Sequence, residues 1–578
     1  MNRNPKVLLT SAYGPYELGR GEDMHDAFTA RLSRGHGAFS MASHFHYFGL
    51  HLIAENISLP TTVLEDPHWE EFQEELERGY DYVGFQLKSI STDKIADMVR
   101  LVKERSPRSK VILGGYGVST LENPVPGDTK GSARFLLENS DFLCREEGVR
   151  FMRRILEDEP ADRPINQYHL PCAGFSFRFM QRPRLRVPTI LVALGCPNAC
   201  DFCTTSAFFH HKKIQVADPE ETYRFMKNYA HRLRSKNLYT LLFDEDIFQN
   251  PEFVRELGRL IRSDRSTWNF KWFGFGSISA LSHYSPEELR DCGVFMVWIG
   301  VESLLCDDPG EAGRDHLPKR HGDVLGTIRG LQQNGILAVG STVLGFDFHT
   351  PENIEQDIDY FVSLKPTFYQ IGALTPCPGT ALYDRMKEEG RLNDNYQWAD
   401  IHLWKEDIFR FKHFEGSEII DYIERAHKKI VEENGPPVLS VLETFLNGYD
   451  SLSASPTDFH REARASYKRI VSLLHGTLGP VMASAPSRAA RVRASELDKR
   501  VRETIGAASP LHWLIGNLVR WSYNHTTRQE PKPIVSDPPT KWTYYHLDPN
   551  QDVVYIRNGN GRRKMHKRRE QTRLLGLV

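Results

Sequence analysis

Three cysteines that fall within eight residues constrain this chain more than any other feature. Cys196, Cys200 and Cys203 follow the spacing C-x3-C-x2-C in one short loop. Thiolates this close together can ligate three irons of a [4Fe–4S] cluster and leave the fourth iron open to a small molecule. A zinc site would need a fourth ligand, which His210 or His211 could supply a few residues later. The spacing alone therefore leaves a cluster, a zinc site and simple buried cysteines as interpretations.

Composition restricts the class of protein. With 578 residues and a typical domain of about 150 residues, the chain should form three or four structural units. A hydrophobic content of 40% and a net charge of −2 are typical of a globular protein without general attraction to nucleic acid. The eight cysteines do not form a disulfide framework. No apolar run approaches the ~18 residues of a membrane span or forms a secretory signal, so we expect a cytoplasmic protein.

After the cysteine loop, short apolar runs alternate with helical patterns, which predicts a partial (β/α)6 barrel. The six predicted strands are Thr189–Ala193, Leu238–Phe243, Lys271–Gly276, Phe295–Gly300, Ala338–Leu344 and Tyr369–Leu374. In such barrels the chemistry lies at the carboxyl ends of the strands. Two acidic groups follow predicted strands in this way: Asp244 with Glu245, and Glu302 with Ser303. Carboxylates here could bind an ammonium group, whereas Asp246 could instead cap the next helix.

The first 150 residues show the same alternation and predict a doubly wound, Rossmann-like or flavodoxin-like parallel sheet. The predicted strands are Val7–Thr10, Thr62–Leu64, Tyr82–Gln86, Val111–Gly114 and Asp141–Leu143, with a helix at Thr92–Glu104. Gly114 and Gly115 fall at a carboxyl strand end, where ligands bind in open sheets. Their lack of a side chain would let the backbone approach a flat ligand, but a tight turn explains them equally well.

The cysteine loop resembles the signature of the radical S-adenosylmethionine (SAM) superfamily, C-x3-C-x-aromatic-C, with Phe202 as the aromatic residue. This resemblance implies that Cys196, Cys200 and Cys203 bind a [4Fe–4S] cluster and that Phe202 lies against the adenine of SAM. It further implies reductive cleavage of SAM to a 5′-deoxyadenosyl radical, with flavodoxin or ferredoxin as the electron donor.

Residues at the ends of later predicted strands extend the resemblance to this superfamily. Asp244 and Glu245 are implied to bind the methionyl amino group of SAM, and Glu302 and Ser303 to lie near its ribose or carboxylate. The turn Thr375–Thr380, Thr-Pro-Cys-Pro-Gly-Thr, matches a turn of the superfamily after the sixth strand. Together these motifs cover about residues 189–390.

The N-terminal pattern is similar to the cobalamin-binding domain of one radical SAM class, which implies that Gly114 and Gly115 contact cobalamin. The motif Asp-x-His-x-x-Gly, whose histidine ligates cobalt in many corrinoid proteins, is imperfect here. The nearest string begins at Asp23 and places Phe28 where the glycine should stand, so a solvated helix-face position is the favoured interpretation of His25. Members of the class without that motif also bind cobalamin.

A histidine-rich stretch precedes the second predicted strand and carries His25, His36, His44, His46 and His51. Such a cluster could bind a metal or line a pocket. A loop with locally paired or exposed histidines is the interpretation that we favour.

The C-terminal third predicts helices at Ser417–Asn434 and His512–Tyr523, the second rich in apolar side chains that could cover the barrel mouth or pack in a helical domain. Residues 481–500 and 528–541 have the composition of linkers. The basic stretch Arg557–Arg573 could contact anionic lipid or nucleic acid, but a solvated tail is favoured.

These observations predict five segments: a cobalamin-binding-like α/β domain at 1–165, a linker at 166–188, a radical SAM barrel at 189–395, a mainly helical domain at 396–550 and a basic tail at 551–578. The function predicted is cobalamin-dependent methylation of an unactivated carbon in a small-molecule, lipid or natural-product substrate. Radical cyclisation, rearrangement or carbon–carbon coupling without methyl transfer is the alternative. A cluster-stabilised RNA-binding scaffold is a remote one.

Overall fold

The computed structural model describes residues 5–19, 22–23, 41–177, 185–307, 322–402, 408–455, 457–507, 510–514, 516–518, 521, 535–546 and 555–558. His25 and His36, and the basic stretch beyond Asn558, lie outside these residues. The predictions made for them stay predictions.

The N-terminal region is an α/β unit. Its elements are β1 Val7–Thr10, β2 Tyr16–Gly19, β3 Glu22–Asp23, β4 Met41–His44, α1 Phe48–Asn56, β5 Thr61–Glu65, α2 Trp69–Leu76, β6 Tyr82–Gln86, α3 Thr92–Arg105, β7 Lys110–Gly114, α4 Ser132–Asn139, β8 Phe142–Leu143 and α5 Gly148–Ile155. Five strands pair in parallel in the order β5-β1-β6-β7-β8. Strands β1 and β5 are buried at every position, because helices cover both faces of such a sheet. The predicted doubly wound sheet is confirmed.

The middle region contains the barrel. Its elements are β9 Ala173–Phe177, β10 Leu185–Val187, β11 Thr189–Leu191, β12 Ala193–Leu194, α6 Thr204–Phe208, β13 Ile214–Gln215, α7 Pro219–Arg232, β14 Leu238–Phe243, α8 Pro251–Ser263, β15 Phe270–Gly276, α9 Ile278–Leu281, α10 Pro286–Asp291, β16 Val294–Glu302, α11 Val324–Gln333, β17 Leu337–Leu344, α12 Ile354–Leu364, β18 Phe368–Ala373 and α13 Ala381–Glu388. Six strands pair in parallel in the order β11-β14-β15-β16-β17-β18. This is the six-stranded α/β arrangement that the sequence predicts.

The C-terminal region begins with helices and ends with strands. Its elements are α14 Gly416–Asn434, α15 Val438–Ser451, α16 Asp458–His475, α17 Leu478–Ala483, α18 Arg488–Thr504, β19 Val535–Ser536, β20 Lys541–Tyr545 and β21 Tyr555–Asn558. The core of α15–α18 packs against Phe295, Met296, Leu337 and Phe368, which stand at the amino ends of barrel strands. The helices therefore cover the end of the barrel away from the cysteine loop.

The described residues 512–514 of the apolar helix predicted at 512–523 lie against the same helical layer. His512 lies against Gly476, at the junction of α16 and α17. Trp513 and Leu514 are at least half exposed. This placement does not support the expectation that this helix covers the barrel mouth.

Three stretches differ from the sequence prediction. Part of the predicted linker at 166–188 forms β9 and β10, which pair antiparallel and continue to β4. The predicted linker at 481–500 contains most of α18. Strand β20 pairs antiparallel with β5 and with β21, so the last described residues return to the N-terminal sheet instead of extending the helical domain or the tail. These strands were missed because their partners are distant in sequence.

One hydrophobic core runs through the N-terminal sheet and the barrel, from Leu8 and Val83 to Ile190 and Ile299. Backbone contacts reinforce it: the Gly127 amide donates to the Tyr396 carbonyl at 3.0 Å. The two units are thus packed together as one body. Within the described residues, no helix has the length and apolarity needed to cross a membrane.

Candidate cluster and cofactor site

The cysteine loop follows β12 at the carboxyl edge of the barrel. Cys196 and Cys200 are buried, and Cys203 is half-buried at the start of α6. The loop is closed by Ser206, whose hydroxyl donates to the Cys196 carbonyl at 2.8 Å. All three thiols are free of disulfide bonds. The structure thus brings together the three predicted ligands in one short, ordered turn.

Gly195 is essential to the path of this loop. Its φ is +76°, a conformation that L side chains rarely adopt. A Cβ at this position would lie 2.1 Å from the Lys212 carbonyl oxygen. The close approach of two backbone segments therefore requires glycine immediately before the first cysteine.

A zinc ion at the cysteine loop would need its ligand atoms close together. Four sulfurs around one zinc, with Zn–S bonds of about 2.3 Å, would lie about 3.8 Å apart. Among the described residues, Cys196, Cys200 and Cys203 do not form a group whose sulfurs all lie within 4.8 Å of one another. His210 and His211 are exposed, and His211 Nδ1 lies 3.1 Å from the Ser206 hydroxyl. In the described residues, the three thiols and these two histidines are thus not gathered around a single zinc position.

Phe202 lies between the second and third cysteines and is partly buried. Its ring packs edge-on against Phe346, with ring centroids 6.0 Å apart. Phe346 belongs to the turn after β17, so the contact joins the cysteine loop to another barrel strand end.

Asp246 anchors the cysteine loop to the barrel, a role that the sequence did not reveal. Its Oδ2 accepts hydrogen bonds from Asn198 in the loop, at 3.2 Å, and from Gln249, at 3.0 Å. Its Oδ1 accepts from the Ser277 amide at the end of β15, at 3.2 Å. The side chain is 1% exposed. The sequence offered Asp246 only as a cap of the next helix, but Asn250 caps that helix instead.

Asp244 is engaged within the protein. Its Oδ2 lies 2.8 Å from Lys213 Nζ, and its Oδ1 accepts from the Asp246 amide at 3.0 Å. Burial raises the pKa of Asp244, and the nearby Lys213 ammonium opposes that rise. Glu245 is half-buried and close enough to Tyr116 to act on its pKa. The two predicted acids therefore differ in burial, and Asp244 is the one that pairs with Lys213.

Glu302 ends the fourth barrel strand, β16, at an irregular point of the sheet, and Ser303 follows it. The Glu302 backbone is left-handed, with φ of +57°. Its carboxylate lies over Gly300, where an added Cβ would stand 2.5 Å from Glu302 Oε1. The Ser303 hydroxyl accepts from the Leu305 amide at 3.1 Å. Both side chains are buried.

His349 fixes two strand ends relative to each other and was not predicted. Its Nδ1 accepts from the Gly345 and Phe346 amides, at 3.0 and 3.2 Å. The proton is therefore on Nε2, which donates to Asp357 at 2.9 Å. The Ser303 hydroxyl lies 3.4 Å from the same Nε2. This fully buried histidine joins the turns after β16 and β17.

The turn after β7 packs against the segment after β6. Gly115 has φ of +97°, and a Cβ there would lie 2.8 Å from the Leu87 carbonyl oxygen. The Leu87 amide donates to the Gly114 carbonyl at 2.7 Å. A Cβ at Gly114 would meet only Cys144, at 3.5 Å. Close packing of two loops thus accounts for Gly115, whereas Gly114 is less confined.

The same turn carries Tyr116 toward the barrel. The Tyr116 ring packs edge-on against Phe208 and Phe209, with centroids 5.2 and 6.2 Å away. Burial raises the pKa of Tyr116, and the nearby Glu245 carboxylate raises it further. The carboxyl edge of the N-terminal sheet therefore faces the segment that holds the cysteines. A ligand bound at that edge would lie next to the cluster site.

Comparison with known proteins adds sequence relatives. No family model matches the chain. A bacteriochlorophyllide d C-12(1)-methyltransferase of Chlorobaculum tepidum is 23% identical over 246 residues, or 42% of this chain and 51% of that protein. An uncharacterised methyltransferase of Pyrococcus horikoshii is 21% identical over 330 residues, or 57% of this chain and 68% of that protein. The chain thus spans about half the length of the first relative and about two thirds of the second.

Among solved structures, the chain is similar to TsrM of Kitasatospora setae, a radical S-adenosylmethionine methyltransferase. One structure of TsrM holds a tryptophan substrate and a SAM analogue, with a TM-score of 0.49 at 13% identity over 80% of this chain and 98% of that one. A second, with cobalamin and a [4Fe–4S] cluster, has a TM-score of 0.47 at 12% identity over 81% of this chain and 100% of that one.

Proposed function

We propose that this protein is a cobalamin-dependent radical SAM methyltransferase that methylates an unactivated carbon of a small-molecule, lipid or natural-product substrate. The observation that carries the proposal is the contact between Tyr116 and Phe208. It brings the carboxyl edge of the N-terminal sheet against the helix that follows the cysteines. Such an edge is where an open α/β sheet binds its ligand, and the carboxyl edge of a barrel is where the chemistry lies.

The cysteine loop would hold the cluster. Cys196, Cys200 and Cys203 supply three thiolates, and the chemistry of such a cluster is one-electron reduction of SAM at its open iron. Asp246 keeps the loop in register with β14 and β15 through Asn198 and the Ser277 amide. Phe202 offers an apolar face beside this loop. The cysteines would bind the cluster, Asp246 would position the loop, and Phe202 would shield the loop from water. A reduced flavodoxin or ferredoxin would supply the electron.

The acids after β14 would divide two tasks. Asp244 neutralises Lys213 inside the barrel rim, and Glu245 offers a carboxylate to the ammonium group of SAM. A bound cobalamin at the Gly114–Tyr116 turn would supply a methyl carrier beside the substrate. The turn itself supplies backbone that can approach a flat ligand, since Gly114 has no side chain.

Conservative substitutions should distinguish the roles of Glu245 and Asp244. Glu245→Gln is expected to raise the KM for SAM about 10- to 100-fold, because a hydrogen bond between charged groups contributes about 1.5–3 kcal/mol. Asp244→Asn is expected to lower the free energy of unfolding by about 2–4 kcal/mol, because it leaves the Lys213 ammonium poorly compensated. Steady-state SAM cleavage and denaturant unfolding measure the two effects.

Glu252→Gln is the matched control, since this exposed glutamate lies on the helix after the same loop. This variant should change neither the KM for SAM nor the free energy of unfolding. An unchanged KM in Glu245→Gln, with a raised KM in Asp244→Asn, would reverse the two assignments.

Product analysis tests the proposed reaction. The enzyme, kept free of oxygen, would be incubated with SAM, a low-potential reductant, cobalamin and extracts that contain candidate substrates. A methyltransferase of this kind forms both S-adenosylhomocysteine and 5′-deoxyadenosine. Formation of 5′-deoxyadenosine without S-adenosylhomocysteine would overturn methyl transfer and favour cyclisation, rearrangement or coupling. Formation of neither product, under conditions that reduce the cluster, would overturn the radical mechanism.

A further inference from the structure

A buried group of two histidines and one glutamate lies away from the cysteine loop. Glu65 is the last residue of β5, His46 precedes α1 and His51 is within α1. Their ligand atoms all lie within 4.8 Å of one another. His46 Nδ1 is 2.9 Å and His51 Nε2 is 3.1 Å from the same oxygen, Glu65 Oε2. The favoured sequence interpretation, a loop of ordinary histidines, does not anticipate this convergence.

We infer that His46, His51 and Glu65 bind a divalent transition-metal ion, of which zinc fits best. Two imidazoles and one carboxylate are a ligand set that zinc uses, with bonds of about 2.0–2.1 Å. Ligand atoms around a tetrahedral ion with such bonds stand about 3.3 Å apart. The observed distances of 2.9 and 3.1 Å need to widen by only a few tenths of an ångström. Three protein ligands leave the fourth position to water.

The second observation concerns the alignment of a buried nitrogen in this group. His51 is completely buried, and its Nε2 lies 3.1 Å from Glu65 Oε2 in a contact that lacks hydrogen-bond geometry. Buried polar atoms without an aligned hydrogen-bond partner are rare in native proteins. An ion between the two side chains would give His51 Nε2 an aligned partner.

The surrounding residues orient the ligands as metal sites require. The other nitrogen of His51, Nδ1, lies 2.9 Å from the Tyr545 hydroxyl. When Nδ1 donates its proton to that oxygen, Nε2 presents a lone pair to the group. Glu65 Oε1 accepts from the Tyr47 amide at 2.8 Å, which leaves Oε2 for the ion. The proposed ligands His51 and Glu65 thus each have a hydrogen-bond partner outside the metal site.

Tyr545 lies on β20, which pairs with β5 although the two strands are almost 500 residues apart in sequence. The site would therefore tie the segment before α1, the end of β5 and the returning C-terminal strand together. We expect bound zinc to stabilise the folded chain, because a ligand that binds only the folded state raises its stability. The inference does not depend on the proposed methyltransferase function.

Metal analysis of the whole 578-residue chain tests the inference. The chain would be purified without oxygen, treated with a zinc chelator, offered one equivalent of Zn²⁺ and passed through a desalting column. Zinc and iron per chain would then be measured by mass spectrometry. We expect about one zinc in the wild type and less than about 0.2 in His51→Gln, with equal iron in both. His68→Gln is the matched control, because His68 is a partly exposed histidine beside the same sheet.

A pair of tyrosine variants tests whether the Tyr545 hydroxyl supports zinc binding by His51. Tyr545→Phe should weaken zinc binding about 10- to 100-fold, since outer partners of ligand histidines contribute that much. Tyr544→Phe, one residue away on the same strand, should leave the affinity unchanged. Equal affinities in the two variants would overturn the assigned role of Tyr545.

X-ray absorption at the zinc edge of the wild type decides the ligands without any variant. Nitrogen and oxygen neighbours at about 2.0–2.1 Å, including two imidazoles, would support the site even if His51→Gln fails to fold. Sulfur neighbours at about 2.3 Å would place the ion in the cysteine loop and overturn the inference. Failure of the wild type to retain zinc would overturn it as well, as would undiminished zinc in a folded His51→Gln.

Discussion

Replacing Cys196 with alanine should reduce the iron content from about four atoms per chain to near zero and bring SAM cleavage below detection. Cys196 is buried at the start of the loop, so no other side chain of the loop can take its position. The loss of one of three thiolates leaves two irons without protein ligands, and such a cluster does not survive purification. Iron and acid-labile sulfide assays, with chromatography of 5′-deoxyadenosine, measure both effects.

Cys172→Ala is the matched control. Cys172 is a free, half-buried cysteine just before β9. This variant should keep its iron and its activity. A Cys196→Ala protein that still holds about four irons would contradict the assignment of the loop as the cluster site.

Replacing Gly195 with alanine should abolish cluster binding without removing any ligand. The added Cβ would lie 2.1 Å from the Lys212 carbonyl oxygen, and the φ of +76° is strained for alanine. Backbone clash and strain together should destabilise the loop by more than about 3 kcal/mol. We expect iron content to fall at least tenfold while the far-ultraviolet circular dichroism of the N-terminal sheet and helical layer remains.

Gly49→Ala controls for the substitution itself. Gly49 is exposed in α1, with nothing within 4 Å of an added Cβ. Alanine is favoured over glycine in a helix, so this variant should be neutral or more stable by up to about 1 kcal/mol. Normal iron content in Gly195→Ala would show that the loop tolerates another path and would contradict the role assigned to this glycine.

The strands of both sheets could be predicted from sequence because they are parallel and buried. Strands such as β1, β6 and β14 are continuous apolar runs, and their predicted bounds Val7–Thr10, Tyr82–Gln86 and Leu238–Phe243 match the structure. Strand β20 has alternating aromatic residues but was assigned to a linker and a helical region. Its partner β5 is nearly 500 residues away, and no local pattern reports such pairing.

The site could be predicted only in part for a similar reason. The cysteines are adjacent in sequence, so their spacing reveals them directly. Asp246 and His349 act through partners on other segments, such as Ser277 and Asp357. Lys213 likewise pairs with Asp244 from a separate segment of the chain. The predicted contacts with SAM and cobalamin stay predictions for all the residues named for them: Phe202, Asp244, Glu245, Glu302, Ser303, Gly114 and Gly115.

In the proposed function, cobalamin at the N-terminal sheet faces a cluster at the cysteine loop. The most direct measurement is the ratio of corrinoid to iron in protein purified without oxygen from cobalamin-fed cells, by absorbance and mass spectrometry. We predict about one corrinoid and about four irons per chain. Four irons with no corrinoid, even after attempted reconstitution, would contradict cobalamin-dependent methyl transfer and leave radical chemistry without a methyl carrier.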